Sequence, residues 1–120
     1  MNTLTKAEEE IMQLIWHRGP CLVSDLLDDM GEPRPPHSSV STIVRILEKK
    51  GFVAHKAYGR TYEYYPLISK EDYSRSRLEK LTADYFSGSY KELVSFLVEE
   101  ESLDPKELET FIEELKTRNP

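Results

Sequence analysis

The hydrophobic period of the chain changes at Gly51, and this change limits the folds it can adopt. Before Gly51, apolar residues recur at helical spacing; after it, the segment FVAHKAYGRTYEYYPL over residues 52–67 alternates and is rich in β-branched and aromatic residues. Gly59-Arg60 at its centre favours a two-residue type II′ turn, and Pro66 ends the second strand. We therefore expect a group of helices followed by one β-hairpin.

Two helices are predicted at the start of the chain. The first covers about 5–18, because Thr5 and Glu8 have the spacing of a capping box and Gly19-Pro20 stops the helix. Its predicted apolar face consists of Ala7, Ile11, Leu14 and Ile15. The second is short, carries Val23, Leu26, Leu27 and Met30 at helical spacing, and is followed by Gly31 as a C-terminal cap.

A third helix, about 37–50, has two chemically different faces. Val40, Ile43, Val44 and Leu47 form an apolar stripe, and Ser38, Ser41, Thr42, Arg45 and Lys49 fall on the opposite side. Small hydroxyl side chains allow close approach of the helix backbone to DNA, and Arg can bind guanine or phosphate. The composition therefore favours a helix that enters the major groove. The alternative is that Ser38 and Ser39 only cap the helix and Thr42 is incidental.

The charge of the chain is unevenly distributed. The net charge is −6, yet residues 34–60 hold six basic residues against the single acidic Glu48, a local charge of +5. Such a basic segment has the electrostatic character that phosphate contacts require. It can also be read as an ordinary solvated face.

The order of three helices and a hairpin predicts a winged helix-turn-helix domain over residues 1–68. The fold class is mostly α with a small β-hairpin wing. The third helix would read bases, and the wing would reach neighbouring phosphates. The predicted DNA-binding residues are His37, Ser38, Ser39, Ser41, Thr42, Arg45, Lys49 and Lys50 in and after the helix, with Lys56 and Arg60 on the wing.

Residues 69–120 contain three further predicted helices. They begin at Ser69, Ser89 and Asp104-Pro105, where capping residues stand at the expected spacing, and each carries an apolar stripe. Short helices have little room to bury such stripes within one chain, so we predict a C-terminal helical dimerisation region and a homodimer. The predicted dimerisation residues are Leu81, Tyr85, Leu93, Val94, Leu97, Leu108, Phe111, Ile112 and Leu115. In the alternative arrangement, the stripes pack back onto the winged helix.

Three segments resemble the penicillinase-repressor family, the BlaI/MecI-type winged-helix transcriptional repressors. They are LTKAEEEIMQLIW at 4–16, SSVSTIVRILEKKGFV at 38–53 and YGRTYEYYPLISKEDY at 58–73. The resemblance covers nearly the whole chain. It implies a dimeric repressor that binds a double-stranded, palindromic DNA operator, with regulation of β-lactam resistance as the best-known output.

The same resemblance implies how repression ends. In the family, a membrane sensor with a metalloprotease domain leads to cleavage of the repressor in its dimerisation region. The corresponding bond in SYKELVSFLVEEESL would be Phe96-Leu97. The best-known members have Asn before the cut and Phe after it, so this chain departs from the pattern there. A packing role for Phe96 and Leu97 is the alternative.

Other classes of protein find little support in the sequence. His17, His37 and His55 match no catalytic or metal-ligand spacing, and Cys21 is the single cysteine, so we expect neither an enzyme, a metal site nor a cofactor. No leader or apolar run long enough to cross a bilayer is visible, which favours a cytoplasmic protein without stable membrane association. The remaining competitor is a winged helix that binds an acidic protein partner and has no sequence-specific DNA binding.

Overall fold

A computed structural model describes residues 2–118 of the chain. Within them lie six helices and one antiparallel hairpin, which confirms the predicted fold class. In chain order the elements are α1 (Lys6–Arg18), α2 (Val23–Met30), α3 (His37–Lys49), β1 (Val53–Tyr58), β2 (Thr61–Pro66), α4 (Lys70–Tyr85), α5 (Tyr90–Glu99) and α6 (Pro105–Arg118). They form two compact units, Met1–Ser76 and Arg77–Pro120.

The first helix begins as its sequence predicts. The Glu8 N–H donates to Thr5 Oγ1 over 3.2 Å, and the Thr5 N–H donates to Glu8 Oε1 over 3.0 Å, which completes the capping box. At the start of α2, the Asp25 carboxylate accepts the Leu22 N–H over 2.8 Å. These local bonds fix where the first two helices start.

The buried face of α1 differs from the predicted one. Ile11, Met12 and Ile15 are at most 1% exposed, whereas Ala7 is exposed. The prediction for Ala7 was wrong because Glu8 lies on the buried side of the helix, where an acidic residue is not expected. The Glu8 carboxylate is compensated there by Lys50, whose Nζ lies 2.6 Å from Glu8 Oε1.

The core of the first unit lies between the three helices and the base of the hairpin. Its most deeply buried side chains outside α1 are Cys21, Leu26, Val40, Val44, Leu47, Phe52 and Val53. Burial of an aliphatic or aromatic side chain contributes about 1.5–3 kcal/mol. This core therefore fixes α3 against the other two helices along its apolar stripe.

The hairpin has the predicted tight turn. Tyr58 pairs with Thr61, and Gly59 has φ +64 whereas Arg60 is not in the positive-φ region, as in a type II′ turn. At its base, Tyr64 and Cys21 exchange two backbone hydrogen bonds of 2.8 and 2.7 Å. The hairpin is thus tied to the segment between α1 and α2.

The first unit continues past residue 68, the domain boundary that the sequence predicts. Tyr73, in the first turn of α4, is 6% exposed, and its ring centroid lies 5.8 Å from that of Trp16 and 5.5 Å from that of Phe52. Its hydroxyl accepts the Leu4 N–H over 3.1 Å and donates to Glu9 over 3.3 Å. The start of α4 therefore completes the core of the first unit.

Candidate nucleic-acid interface

Helix α3 presents the polar face that its sequence predicts. Val40, Val44 and Leu47 are at most 1% exposed. On the other side Ser38, Thr42, Arg45 and Lys49 are exposed, and Ser41 is half-buried. At 1.5 Å per residue, the row from Ser38 to Lys49 is about 16 Å long, enough to follow several base pairs of a major groove.

The serines at the start of α3 do not cap it. Pro36 occupies the N-cap position in an extended conformation, and no side chain caps the helix within the described residues. The Ser39 and Val40 N–H groups donate instead to the Pro36 carbonyl, over 3.0 and 3.4 Å. The alternative that Ser38 and Ser39 serve only as caps is therefore wrong, and their hydroxyls face solvent at the positive end of the helix dipole.

The polar side chains in the middle of α3 are partly ordered by the helix itself. The Thr42 hydroxyl donates to the Ser38 carbonyl over 2.8 Å, which uses its proton and leaves its acceptor lone pairs available. The Arg45 Nε makes a long bond of 3.4 Å to the Ser41 carbonyl. In general, an arginine can bind the O6 and N7 of guanine through its terminal guanidinium nitrogens in a two-bond contact.

Four of the basic residues predicted to contact DNA make no ion pair with residues 2–118. They are Arg45 and Lys49 on α3, with Lys56 and Arg60 on the hairpin. Arg34 differs, because it lies 3.1 Å from Asp28 and 3.2 Å from Glu32. Charges without an internal partner are the ones available to phosphates.

Lys50 faces the fold. Its Nζ lies 2.6 Å from Glu8 Oε1 and 3.3 Å from the Thr3 carbonyl oxygen, and its side chain is 27% exposed. Burial raises the pKa of Glu8, but the Lys50 ammonium and the Thr5 N–H lower it by more, so the pKa lies below its ordinary value. The role of Lys50 in DNA binding stays a prediction, and its position is that of a structural residue.

A groove of about 390 Å³ separates the start of α3 from the hairpin tip. His37 and Ser41 line one wall and Arg60 lines the other, so the structure brings together three predicted residues from two elements. The remaining lining residues include Ser24, Thr61 and Tyr62, which sequence reasoning missed. Ser24 lies in α2, and no local signal in the sequence indicates that α2 borders this groove.

A contact between α3 and the hairpin was also missed. The His55 Nδ1 lies 2.6 Å from Glu48 Oε2, and the imidazole ring stacks on Tyr62 with centroids 4.3 Å apart and planes 21° apart. The His55 ring centroid is also 5.5 Å from that of Tyr64. The seven-residue separation of Glu48 and His55 crosses Gly51, and so gives no periodic signal.

The second unit exposes large apolar side chains along its helices. Among its residues 77–118, Thr82 is the one buried side chain, and no apolar residue is buried. The exposed large apolar residues are Leu78, Leu81, Tyr85, Tyr90, Val94, Phe96, Phe111 and Ile112. Of the other predicted dimerisation residues, Leu93, Leu97, Leu108 and Leu115 are half-buried. A unit with this much exposed apolar surface has the properties of an interaction surface.

Among residues 2–118, no three His, Cys, Asp or Glu side chains come together at a distance suited to a metal ion. Within the same residues, every helix is too short or too polar to span a lipid bilayer.

Comparison with known proteins gives consistent matches along the chain. The model of the family described as penicillinase repressor matches residues 4–117. The methicillin resistance regulatory protein MecI of Mammaliicoccus sciuri is 25% identical over 107 residues, covering 88% of this chain and 87% of that protein. The penicillinase repressor of Bacillus licheniformis is 24% identical over 119 residues, covering 96% and 93%. The solution structure of the DNA-binding domain of the repressor BlaI superposes with a TM-score of 0.52 at 26% identity, over 59% of this chain and 88% of that one.

Proposed function

The chain belongs to the penicillinase repressor family, and we propose that it is a transcriptional repressor that binds double-stranded DNA in a sequence-specific manner. It has no catalytic role in this proposal. Its relatives are named as repressors or resistance regulators, and the matching solved domain is named as DNA-binding. The DNA-binding surface consists of the outer face of α3 and the tip of the hairpin. The whole hairpin, residues 53–66, is called the wing below.

The observation that carries this proposal is the separation of the two faces of α3. On one face Val40, Val44 and Leu47 are at most 1% exposed, so the helix is held against the core. The other face offers hydroxyls, Arg45 and Lys49 to the outside. A fixed helix with short polar side chains and unpaired cations suits base reading in the major groove. A generic acidic protein partner would need the charge but not the row of small hydroxyls.

We propose further that the repressor acts as a homodimer through its second unit. The exposed apolar residues from Leu78 to Ile112 support this assembly, because a second copy would remove them from water. Two-fold symmetry would place the two α3 helices on half-sites about one helical turn, or a multiple of it, apart. The operator would therefore be a palindrome.

Release by proteolysis at Phe96-Leu97 is the final part of the proposal. The bond lies inside α5, where the Phe96 carbonyl accepts the Glu100 N–H over 2.9 Å, and the Phe96 ring is 5.5 Å from the Phe86 ring. A protease would therefore need α5 to open locally. Cleavage would remove α6 from the DNA-binding unit. Mass spectrometry of the repressor from β-lactam-treated cells should show a fragment ending at residue 96; an intact chain during induction would contradict this step alone.

Selection of bound duplexes from a random pool tests DNA recognition directly. The selected sites should share one palindrome, and the affinity for it should fall steeply with salt. Six cations per dimer, Lys49, Lys56 and Arg60 from each chain, give an expected slope of log K against log[salt] of about −5. A shallow slope without a preferred duplex would support the protein-binding module instead.

A further inference from the structure

The wing carries Arg60 well beyond its last contact with the core. Along β1, the side chain of Val53 is buried, Ala54 and His55 are half-buried, and residues 56–58 are exposed. Four strand steps separate His55 from Gly59, which is roughly 13 Å at 3.3 Å per residue. A small change of angle near His55 would thus move Arg60 by several ångströms.

His55 connects the wing to α3. Its Nδ1 bonds to the Glu48 carboxylate in the last turn of α3 over 2.6 Å, and its ring stacks on Tyr62 of the opposite strand. Both partners of the hydrogen bond are 31% exposed, so the bond is partly shielded from water. The contact therefore connects α3 with both strands of the wing.

The negative charge of Glu48 is unexpected in this basic segment. It is the single acidic residue between positions 34 and 60, next to a surface proposed to approach phosphates. By charge alone, a carboxylate there would repel DNA, and its removal would strengthen binding. A structural role for Glu48 accounts for its presence.

We infer that Glu48 and His55 are positioning residues, which hold the wing at a fixed angle to α3 so that Lys56 and Arg60 meet the DNA backbone while α3 reads bases. This inference rests on the proposed function, because it concerns the same DNA-binding surface. It adds that α3 and the wing keep a fixed relative orientation, and so bind DNA together, only while the Glu48–His55 bond is intact.

Two substitutions at Glu48 separate positioning from charge. Glu48→Gln removes the charge but keeps an oxygen that can accept from His55, whereas Glu48→Ala removes both. Positioning predicts that Glu48→Ala weakens operator binding about tenfold and reduces the salt slope by about 2 per protomer, one for each wing cation. Glu48→Gln should keep the parent slope and bind at least as tightly. His55→Ala should behave like Glu48→Ala.

A double-mutant cycle with Arg60→Ala gives a readout that loss of stability would not change. In the parent, Arg60→Ala should weaken operator binding; in the Glu48→Ala background it should have little further effect, because the wing no longer meets the backbone. Thermal unfolding of every variant checks that each one is folded at the assay temperature. Ala is a good helix former, so Glu48→Ala should not unfold α3.

The outcomes distinguish failure of the positioning role from failure of the repressor function. If the parent prefers one palindrome but Glu48→Ala binds as tightly as Glu48→Gln, with a full Arg60→Ala effect, the positioning role is wrong and the repressor function stands. If the parent shows no preferred duplex, the repressor function is wrong and the positioning role falls with it.

Discussion

The Lys50 ammonium lies 2.6 Å from the Glu8 carboxylate, and this ion pair joins the end of α3 to the first turn of α1. The Glu8 side chain is 8% exposed, so its charge is largely removed from water. Lys49, one position earlier, is exposed and has no ion-pair partner within residues 2–118. Adjacent lysines thus have different surroundings, and we expect their substitutions to have different effects.

Lys50→Met should lower the free energy of unfolding by roughly 1–3 kcal/mol, because it leaves the Glu8 carboxylate without its cation. Lys49→Met, the matched control, should leave stability unchanged and reduce the salt slope of operator binding by about 1 per protomer. Urea denaturation and salt titrations measure the two effects. A Lys50→Met variant of normal stability with a reduced salt slope would place Lys50 on the DNA surface after all.

Stability should also depend on pH through Glu8. Its pKa in the folded chain is below the ordinary value of 4.5, so its ion pair with Lys50 contributes fully above that value and is lost as the pH falls through the folded pKa. The parent should therefore lose stability more steeply than Glu8→Gln on acidification below about pH 4.5. Denaturation curves at stepped pH compare them, and parallel profiles would show that Glu8 contributes no pH dependence.

Arg45→Ala should weaken operator binding by about 1–3 kcal/mol and relax the base preference at one position of each half-site. Arg45→Lys is the control that keeps the charge but loses the planar two-bond contact. It should retain the salt slope and still lose the base preference. Affinities for the selected palindrome and its single-base variants measure both quantities; unchanged preference in both variants would exclude base reading by Arg45.

Phe111→Asp should shift the protein from dimer to monomer, since the Phe111 side chain is 50% exposed in the single chain and a buried carboxylate in a dimer interface is strongly unfavourable. Thr117→Asp adds the same charge on the side of α6 that faces away from the apolar stripe, and it should leave the dimer intact. Analytical ultracentrifugation gives the association state. A dimeric Phe111→Asp protein would place the interface elsewhere.

A fragment of residues 1–76 should fold, whereas a fragment of residues 1–68 should be much less stable. The shorter fragment lacks Tyr73, whose ring packs on Trp16 and Phe52, and loss of a buried aromatic side chain costs about 3–5 kcal/mol. Thermal unfolding followed by circular dichroism compares the two. Equal melting temperatures would mean that Tyr73 adds nothing to the core.

Local signals account for what the sequence predicted well. The Thr5–Glu8 capping box, the turn at Gly59 and the two faces of α3 each depend on residues within a few positions of one another, and all three are confirmed. Contacts between distant residues were not predictable in this way. Lys50 with Glu8 and Tyr73 with Leu4 are 42 and 69 positions apart, and no periodicity indicates them.

The candidate site also combines local features that the sequence predicts with contacts between distant residues that it does not predict. The row of outward side chains on α3 follows from helical geometry, whereas the groove shared by His37 and Arg60 requires the wing to fold back beside the helix. The Glu48–His55 bond was missed for a related reason, since Gly51 interrupts the helix between them. Interactions between side chains that lie on either side of a change in chain direction cannot be predicted from local sequence patterns and are seen only in the structure.

The backbone bridge between Cys21 and Tyr64 gives the DNA-binding unit an internal reporter. The Cys21 thiol is 1% exposed, and burial raises its pKa to about 11, so at neutral pH it is both inaccessible and protonated. A thiol-specific reagent can modify it only when the structure around Cys21 opens. The rate at which the single cysteine of this chain is labelled therefore measures how often this part of the first unit opens, with and without DNA.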